Sequence, residues 1–249
     1  MLISVITVCW NAEKTIRHTV ESFLAQTHPE KEMVLVDGAS KDATLDIVRS
    51  FKSPLIRITS EKDQGIYDAM NKGLKLAKGD AIGLLNADDT FHDSHSLAKI
   101  AKALETSPIV SGNCLMVPDH VSGTVSRPWN PGPYRPGAYS RGWMPPHPCT
   151  YVRREVYEKV GDFDLSYKIC ADYEWLLRAI EVNKFPITML DEPLAHMMLG
   201  GLSTSGFKAR LTNLRETHRA RQKWLGAGPI DAAMLNKAFG ALKRAIRFS

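Results

Sequence analysis

Two kinds of hydrophobic pattern alternate along the first 107 residues. Short apolar runs with the composition of buried strands occupy residues 3–8, 33–36, 56–59 and 82–85. Between and after these runs, apolar residues recur at the spacing of one helix face, which predicts helices at 13–25, 42–51, 65–77 and 95–104. This alternation predicts an α/β fold with a mostly parallel, Rossmann-like central sheet flanked by helices.

The pattern changes after Pro108. Residues 109–117 and 121–125 have strand composition and would pair as a hairpin through 118–120. Residues 127–148 hold seven prolines and two tryptophans. Because proline removes a backbone donor and fixes φ, they predict a long loop of the kind that often carries function. The remaining predicted elements are helices at 154–160 and 171–182, a strand at 187–190, a turn at 200–203 and a basic helical extension at 207–249.

The composition is typical of a globular protein, with 44% hydrophobic and 24% charged residues in a chain of 249. Its four cysteines are scattered without a CxxC pair, which favours reduced thiols in the cytosol over disulfides or a zinc site. No basic leader precedes the first strand and no apolar run reaches the length of a membrane span. We therefore expect a cytoplasmic protein.

The charge is uneven along the chain. From residue 207 to the end there are ten Lys and Arg against two acidic residues. Near the end, Leu235, Phe239, Leu242 and Ile246 fall on one helical face, and basic residues fall on the others. Such a helix can lie on an anionic membrane surface, here the inner face of the cytoplasmic membrane. It can equally pack on its own domain, and the sequence leaves both possibilities open.

Polar residues follow every early strand, in chain order Thr7 and Asn11, then Asp37, then Asp63, then Asn86 with Asp88. The carboxyl ends of parallel strands meet at one edge of an open sheet, where ligands bind, so these residues predict one polar crevice. Asp88 and Asp89 repel each other unless a cation neutralises them, and Mg²⁺ or Mn²⁺ takes carboxylates together with substrate phosphates. The alternative is a turn that caps the next helix.

Four ordered segments resemble the successive signatures of family 2 glycosyltransferases: SVITVCWNA at 4–12, VDGASKDAT at 36–44, DQGIYDAMNKG at 63–73 and NADD at 86–89. Within that family, these segments most resemble sequences of the bacterial O-antigen and exopolysaccharide branch. The resemblance implies a GT-A fold, a nucleotide-sugar donor, a divalent metal (Mn²⁺ or Mg²⁺) and inversion at the anomeric carbon. Residues 1–107 would then bind the donor, 108–206 would bind the acceptor, and 207–249 would form the basic amphipathic extension.

The resemblance also assigns roles to individual residues. The nucleotide-sugar contacts would be Thr7, Asn11, Glu13, Asp37, Asp63, Gly65, Asp68, Asn86 and Ala87. Among them, Asp37 would accept the N3–H of uracil, which favours a uridine donor, and Asp88 would bind the metal. The family usually has Asp where this chain has Asn86.

A later segment, ICADYEWLLR at 169–178, resembles the acidic helix start of the family, with Ala171 in place of the first acid. Asp172 would then be the catalytic base, since an inverting transfer must remove the acceptor proton during attack. The positive end of a helix favours the charged carboxylate, although Asp172 could instead only cap that helix. Glu174 would either orient the acceptor or pair with Arg178.

Three more residues are implied by similar sequences. His147, which is followed by a strand under the sugar site, and Trp143 would contact the acceptor or the donor sugar. His196 would be a third metal ligand, as a late histidine often is in GT-A enzymes. The turn at 200–203 resembles a late motif that closes over the diphosphate.

These signals predict an inverting glycosyltransferase that moves a hexose or N-acetylhexosamine from a UDP-sugar to a glycan acceptor of bacterial surface polysaccharide synthesis. The expected partners are the UDP-sugar, a lipid-linked (polyprenyl-diphosphate) or oligosaccharide acceptor and an anionic membrane surface, with no nucleic acid. A sugar-nucleotide nucleotidyltransferase is a rival, but residues 9–12 lack the Gly-rich basic loop it needs. A degenerate scaffold protein is the other rival, because Ala171 and Asn86 depart from the family pattern.

Overall fold

The computed structural model describes residues 1–200 and 206–234. Within these residues, nine strands form one sheet. The strands are β1 (Ile3–Cys9), β2 (Lys31–Asp37), β3 (Ile56–Ser60), β4 (Ala81–Leu84), β5 (Asp89–Phe91), β6 (Ile109–Val117), β7 (Arg127–Trp129), β8 (Tyr151–Arg153) and β9 (Ile187–Met198). The helices are α1 (Ile16–Leu24), α2 (Thr44–Ser50), α3 (Ile66–Leu76), α4 (Ser96–Leu104), α5 (Arg154–Val160), α6 (Ala171–Leu177) and α7 (Gly206–Leu225).

The strand order is β3-β2-β1-β4-β8-β6-β9-β5, with β7 paired to β6. β1 to β4 form the parallel half, in which Val5 lies opposite Met33 on one side and Gly83 on the other. β8 runs antiparallel to both β4 and β6, while β6 and β9 are parallel. The predicted α/β sheet is confirmed, and its antiparallel pairs all involve strands from β5 onward.

Helices cover both faces of the parallel half. Alternate side chains of a strand point to opposite faces. Ile6 and Val8 of β1 join a buried cluster with α3 and α6, whereas Ile3 and Val5 join a second cluster with α1 and α4. Because both faces are buried, the strands read in the sequence as continuous apolar runs.

Several element predictions need correction after Pro108. Residues 121–125 form no strand, and Val121 is 84% exposed. The Asp119 carboxylate accepts hydrogen bonds from the backbone of Val121 and Ser122 and turns the chain, so the antiparallel partner of β6 begins later, at β7. The predicted strand at 187–190 continues to Met198 as β9, and the helix at 171–182 ends in a π-helical segment, Arg178–Val182.

The basic region from residue 207 packs on the domain through α7. The Glu216 carboxylate accepts hydrogen bonds from the backbone of Lys168, Ile169 and Cys170, just before α6. The indole of Trp224 donates to Glu174. α7 therefore holds the segment that positions the start of α6.

Parts of two predictions lie outside the described residues: the turn at 200–203, apart from Gly200, and the amphipathic face formed by Leu235, Phe239, Leu242 and Ile246. Among the helices described, none combines the length and the apolar character needed to cross a bilayer.

Candidate active site

A cleft of about 1060 Å³ lies at the carboxyl ends of β1 and β4 and extends to the start of α6. Predicted site residues on its lining are Asn11, Asp63, Gly65, Asn86, Ala87, Asp88, His147 and Asp172. The structure thus brings together the strand ends, the proline-rich segment 130–148 (the prolyl loop) and the start of α6 in one concave surface. Such a surface with a few convergent polar groups is typical of a ligand site.

One wall is formed by Trp10 and Asp63. Trp10 follows β1 and is 69% exposed, an unusual position for a large aromatic ring. A Cβ on Gly38 would lie 2.5 Å from Oδ2 of Asp63 and 3.5 Å from Cβ of Trp10. Glycine at position 38 therefore lets the carboxylate and the base of the indole approach the backbone closely. Asp63 in turn accepts a hydrogen bond from the backbone N–H of Gly65, at the start of α3.

The two carboxylates after β4 have different surroundings. Asp88 lines the cleft, and its side chain accepts no hydrogen bond from the described residues. Asp89 is only 2% exposed and begins β5, where its Oδ1 accepts the backbone N–H of Met198 at 3.3 Å. Burial and the charge of Asp88 raise the pKa of Asp89 well above its ordinary value. Asp88 is thus the carboxylate free to meet a ligand.

His147 lies in the prolyl loop just before β8 and contacts both Asn86, in the segment after β4, and Asp172. Its Nε2 lies 3.0 Å from Nδ2 of Asn86, and its Nδ1 lies 3.7 Å from Oδ2 of Asp172. Burial lowers the pKa of His147 in spite of the nearby charges of Asp172 and Asp88. A neutral ring that accepts from Asn86 at Nε2 carries its proton on Nδ1, which faces Asp172.

Tyr67 holds the other oxygen of Asp172. Its hydroxyl donates to Oδ1 of Asp172 at 3.1 Å, and both side chains line the cleft. Burial, together with the charge of Asp172, raises the pKa of Tyr67 well above its ordinary value, so the phenol keeps its proton. The carboxylate is fixed between a phenol from α3 and an imidazole from the prolyl loop.

Four predicted nucleotide contacts lie off the cleft lining. Asp37 is fully buried and accepts hydrogen bonds from the hydroxyls of Ser40 and Ser60 and from the Ser40 backbone, which fixes the turn after β2. Glu13 accepts from the backbone of Ala43 and ties this turn to the one after β1. The other two are Thr7, whose buried hydroxyl lacks a partner among the described residues, and Asp68, which bonds the backbone of Gln64 and the ammonium of Lys72.

Three later predictions also lie away from the cleft lining. Glu174 is fully buried, and its carboxylate lies 3.0 Å from Nε of Arg178, the pairing that was the alternative to an acceptor contact. Trp143 packs on Tyr139 and lines a neighbouring pocket. His196 lies in β9, with its Nε2 3.0 Å from Nδ1 of His92.

Sequence reasoning missed several residues of the lining. Trp10 lies in the segment 4–12 and Tyr67 in the segment 63–73, both of which resemble the family signatures. For Trp10, the signal in the sequence was an aromatic residue directly after a buried strand. Asn213, Thr217 and Arg221 come from one face of α7. No local pattern links them to the site, because their position depends on long-range packing of α7.

Asp88 is the carboxylate of the cleft that could hold a divalent cation. Within 1–200 and 206–234 no group of three or more His, Cys, Asp or Glu side chains forms a ready-made metal site. Cations such as Mg²⁺ that bind nucleotide phosphates use one or two carboxylates and take the other ligands from phosphates and water. One unpaired carboxylate at the cleft fits that donor set.

A parallel nucleotide-binding half joined to a mixed second half around such a cleft defines the GT-A class of glycosyltransferases. The chain belongs to glycosyl transferase family 2, whose model matches residues 4–161. A PGL/p-HBAD biosynthesis glycosyltransferase of Mycobacterium bovis is 30% identical over 188 residues, covering 71% of this chain and 69% of the relative. An uncharacterised glycosyltransferase of Mycobacterium tuberculosis is 31% identical over 189 residues, covering 75% and 71%.

Solved structures support the same fold. TarS 1–349 of S. aureus in complex with UDP-GlcNAc has a TM-score of 0.69 at 20% identity, covering 96% of this chain and 73% of that one. The mannosyltransferase PcManGT of Pyrobaculum calidifontis, in complex with GDP-Man and Mn²⁺, also has a TM-score of 0.69 at 20% identity, covering 95% and 69%. The GT-A prediction and the family assignment are both confirmed.

Proposed function

We propose that this glycosyltransferase is an inverting, metal-dependent enzyme that transfers a hexose or N-acetylhexosamine from a UDP-sugar to a glycan hydroxyl. The observation that carries this proposal is that Asp88, between β4 and β5, and Asp172, in the first turn of α6, line one cleft. Asp88 would serve the donor diphosphate and Asp172 would serve the acceptor.

Asp172 would act as the base. An acceptor hydroxyl attacks the anomeric carbon, the bond from that carbon to the diphosphate oxygen breaks on the opposite face, and the hydroxyl proton passes to Asp172. Tyr67 and His147 fix the orientation of the carboxylate. Holding the base and the two reactants in line supplies much of the rate advantage.

Asp88, with Asn86 beside it, would hold the divalent ion and the donor diphosphate. A bound ion supplies neutralisation of the charge that develops on the departing diphosphate. The exposed ring of Trp10 offers an apolar face for a nucleobase. Since Asp37 already accepts hydrogen bonds from two serines, a uracil contact there would have to displace or share one of them.

The acceptor would be a lipid-linked glycan of a bacterial surface polysaccharide, which would place the protein in the cytoplasm at the inner face of the membrane. α7 packs on the domain through Glu216 and Trp224. The basic residues from 235 onward, which lie outside the described residues, would supply the lipid contact. Deletion of 235–249 should abolish binding to vesicles that contain anionic phospholipid. Unchanged vesicle binding would contradict this role.

The proposal is tested by nucleotide release. The protein is incubated with Mn²⁺ and a panel of UDP-hexoses, UDP-N-acetylhexosamines and GDP-mannose, and free nucleoside diphosphate is measured. We expect UDP from one class of UDP-sugar. A nucleotidyltransferase would instead form pyrophosphate from a nucleoside triphosphate and a sugar phosphate, and a scaffold protein would give neither product.

A further inference from the structure

A second pocket, of about 440 Å³, adjoins the cleft and is built entirely from the prolyl loop and the end of β7. It shares Trp129, Gly142 and Met144 with the cleft lining, so the two spaces are neighbours. We propose that this side pocket binds an acceptor sugar that carries an anionic group, a phosphate or a carboxylate. The proposal rests on the proposed function and names the chemical class of its acceptor.

The charge of the pocket favours an anion. Arg135 and Arg141 line it and are exposed, and none of the described residues on its lining is Asp or Glu. Arg127 lies at the adjoining part of the cleft. Guanidinium groups bind phosphates and carboxylates through paired hydrogen bonds, which a neutral hydroxyl cannot match.

The pocket also offers aromatic faces suited to a sugar ring. Trp143 is fixed by the rings of Tyr134 and Tyr139, at centroid distances of 5.3 and 5.4 Å, and its indole donates to the carbonyl of Gly132. Trp129 is held in β7 opposite Cys114 of β6. The apolar C–H face of a pyranose packs on such rings, while a polar group at its edge stays free for the arginines.

The position of the pocket favours the acceptor over the donor. The donor diphosphate is assigned to Asp88, at the end of β4. The pocket belongs instead to the same loop as His147, which contacts the proposed base. The volume lies in the range of ordinary ligand sites and accommodates one sugar with its charged substituent.

The test measures binding of three probes by saturation-transfer NMR: methyl glucoside, methyl glucuronide and glucose 1-phosphate. We expect both anionic probes, or one of them, to bind about 10-fold tighter than the neutral glycoside, the range of a charged hydrogen bond. The tighter of the two identifies the anion. The variants Arg135→Gln and Arg141→Gln should lose this preference, and Trp143→Leu should weaken all three probes.

Arg49→Gln is the matched control, since Arg49 is an exposed arginine of α2 that lines neither space. Equal binding of all probes, or a preference that survives loss of both pocket arginines, would overturn the inference. UDP binding with Mn²⁺ is measured on the same proteins. If UDP binds while the probes do not, the side pocket is refuted and the donor site stands. If the probes bind while UDP does not, the UDP donor of the proposed function is refuted, and the side pocket stands as a site for anionic sugars without its acceptor role.

Discussion

The imidazole of His147 lies 3.7 Å from the carboxylate of Asp172, and its other nitrogen lies 3.0 Å from the amide of Asn86. One side chain of the prolyl loop therefore links the proposed base to the motif after β4. If this link positions the base, changing it should affect the chemical step more than donor binding.

His147→Gln is the first prediction. Glutamine cannot bridge both partners with the same geometry, so we expect kcat to fall about 10- to 100-fold, the cost of a misplaced catalytic group, while donor affinity changes little. Steady-state kinetics and donor titration measure the two quantities. His95→Gln, at an exposed histidine before α4, should change neither. Equal losses in kcat and donor affinity would argue against a positioning role.

Asp88→Asn should weaken donor binding, in contrast to His147→Gln, which should mainly lower kcat. Removing the carboxylate should weaken Mn²⁺-dependent donor binding about 10- to 100-fold, typical for loss of a metal-site group. Wild-type protein treated with EDTA should then bind the donor as weakly as the variant, which is measured by calorimetry. Asp46→Asn, at an exposed carboxylate of α2, serves as the charge control. Metal-independent donor binding in the wild type would contradict the assignment.

Gly83→Ala tests the contact between β4 and β8. A Cβ at this position would lie 2.2 Å from the ring of Tyr151, which is fully buried. Overpacking of this kind costs about 1–3 kcal/mol of unfolding free energy, which urea denaturation measures. Gly228→Ala is the control, because its nearest contact would be at 3.9 Å. Equal stability of the two variants would contradict the packing described.

The ion pair between Arg221 of α7 and Asp231, which holds the segment after α7 on that helix, predicts a pH-dependent stability. Burial raises the pKa of Asp231, but hydrogen bonds from Arg221 and His218 outweigh it, and the pKa falls to about 2. Because the folded value lies below the ordinary value of 3.8, the stabilisation is fully present above pH ~4 and is lost as the pH falls toward 2.

Asp231→Asn should therefore cost about 2 kcal/mol at neutral pH, as expected for breaking a largely buried pair. The difference from wild type should shrink below pH ~4 in urea unfolding experiments. Asp46→Asn should stay near wild type throughout. A difference that does not change with pH would show that the carboxylate charge is not what holds the segment after α7.

The parallel half of the fold was predictable because its strands carry local patterns: a buried apolar run, then a polar end. Strand-end reasoning predicts a polar crevice, and Asn86 and Asp88 do line the cleft, whereas Asp172, which also lines it, was pointed to only by the family resemblance. The strand pattern could not show that Asp37 is saturated by donors, since Ser60 comes from β3, 23 residues later. The sequence locates a polar residue at a strand end. It does not show whether that residue binds a ligand or another part of the protein.

The second half was harder to predict for a related reason. β5 has three residues and exists because it pairs with β9, more than 100 residues away. α7 contributes to the cleft because Glu216 and Trp224 fasten it to the segment around α6. Contacts of this range leave no periodic signal, so the sequence leaves open whether the basic extension packs on the domain or on a membrane.

In the proposed function, Asp172 is the base that activates the acceptor while the donor is held elsewhere in the cleft. The direct measurement compares wild type and Asp172→Asn for UDP-sugar affinity and for transfer in the same assay with Mn²⁺. We predict unchanged affinity and a loss of transfer of about 10²- to 10⁴-fold, the usual contribution of a general base. Transfer by Asp172→Asn at the wild-type rate would contradict the assignment of Asp172 as the catalytic base.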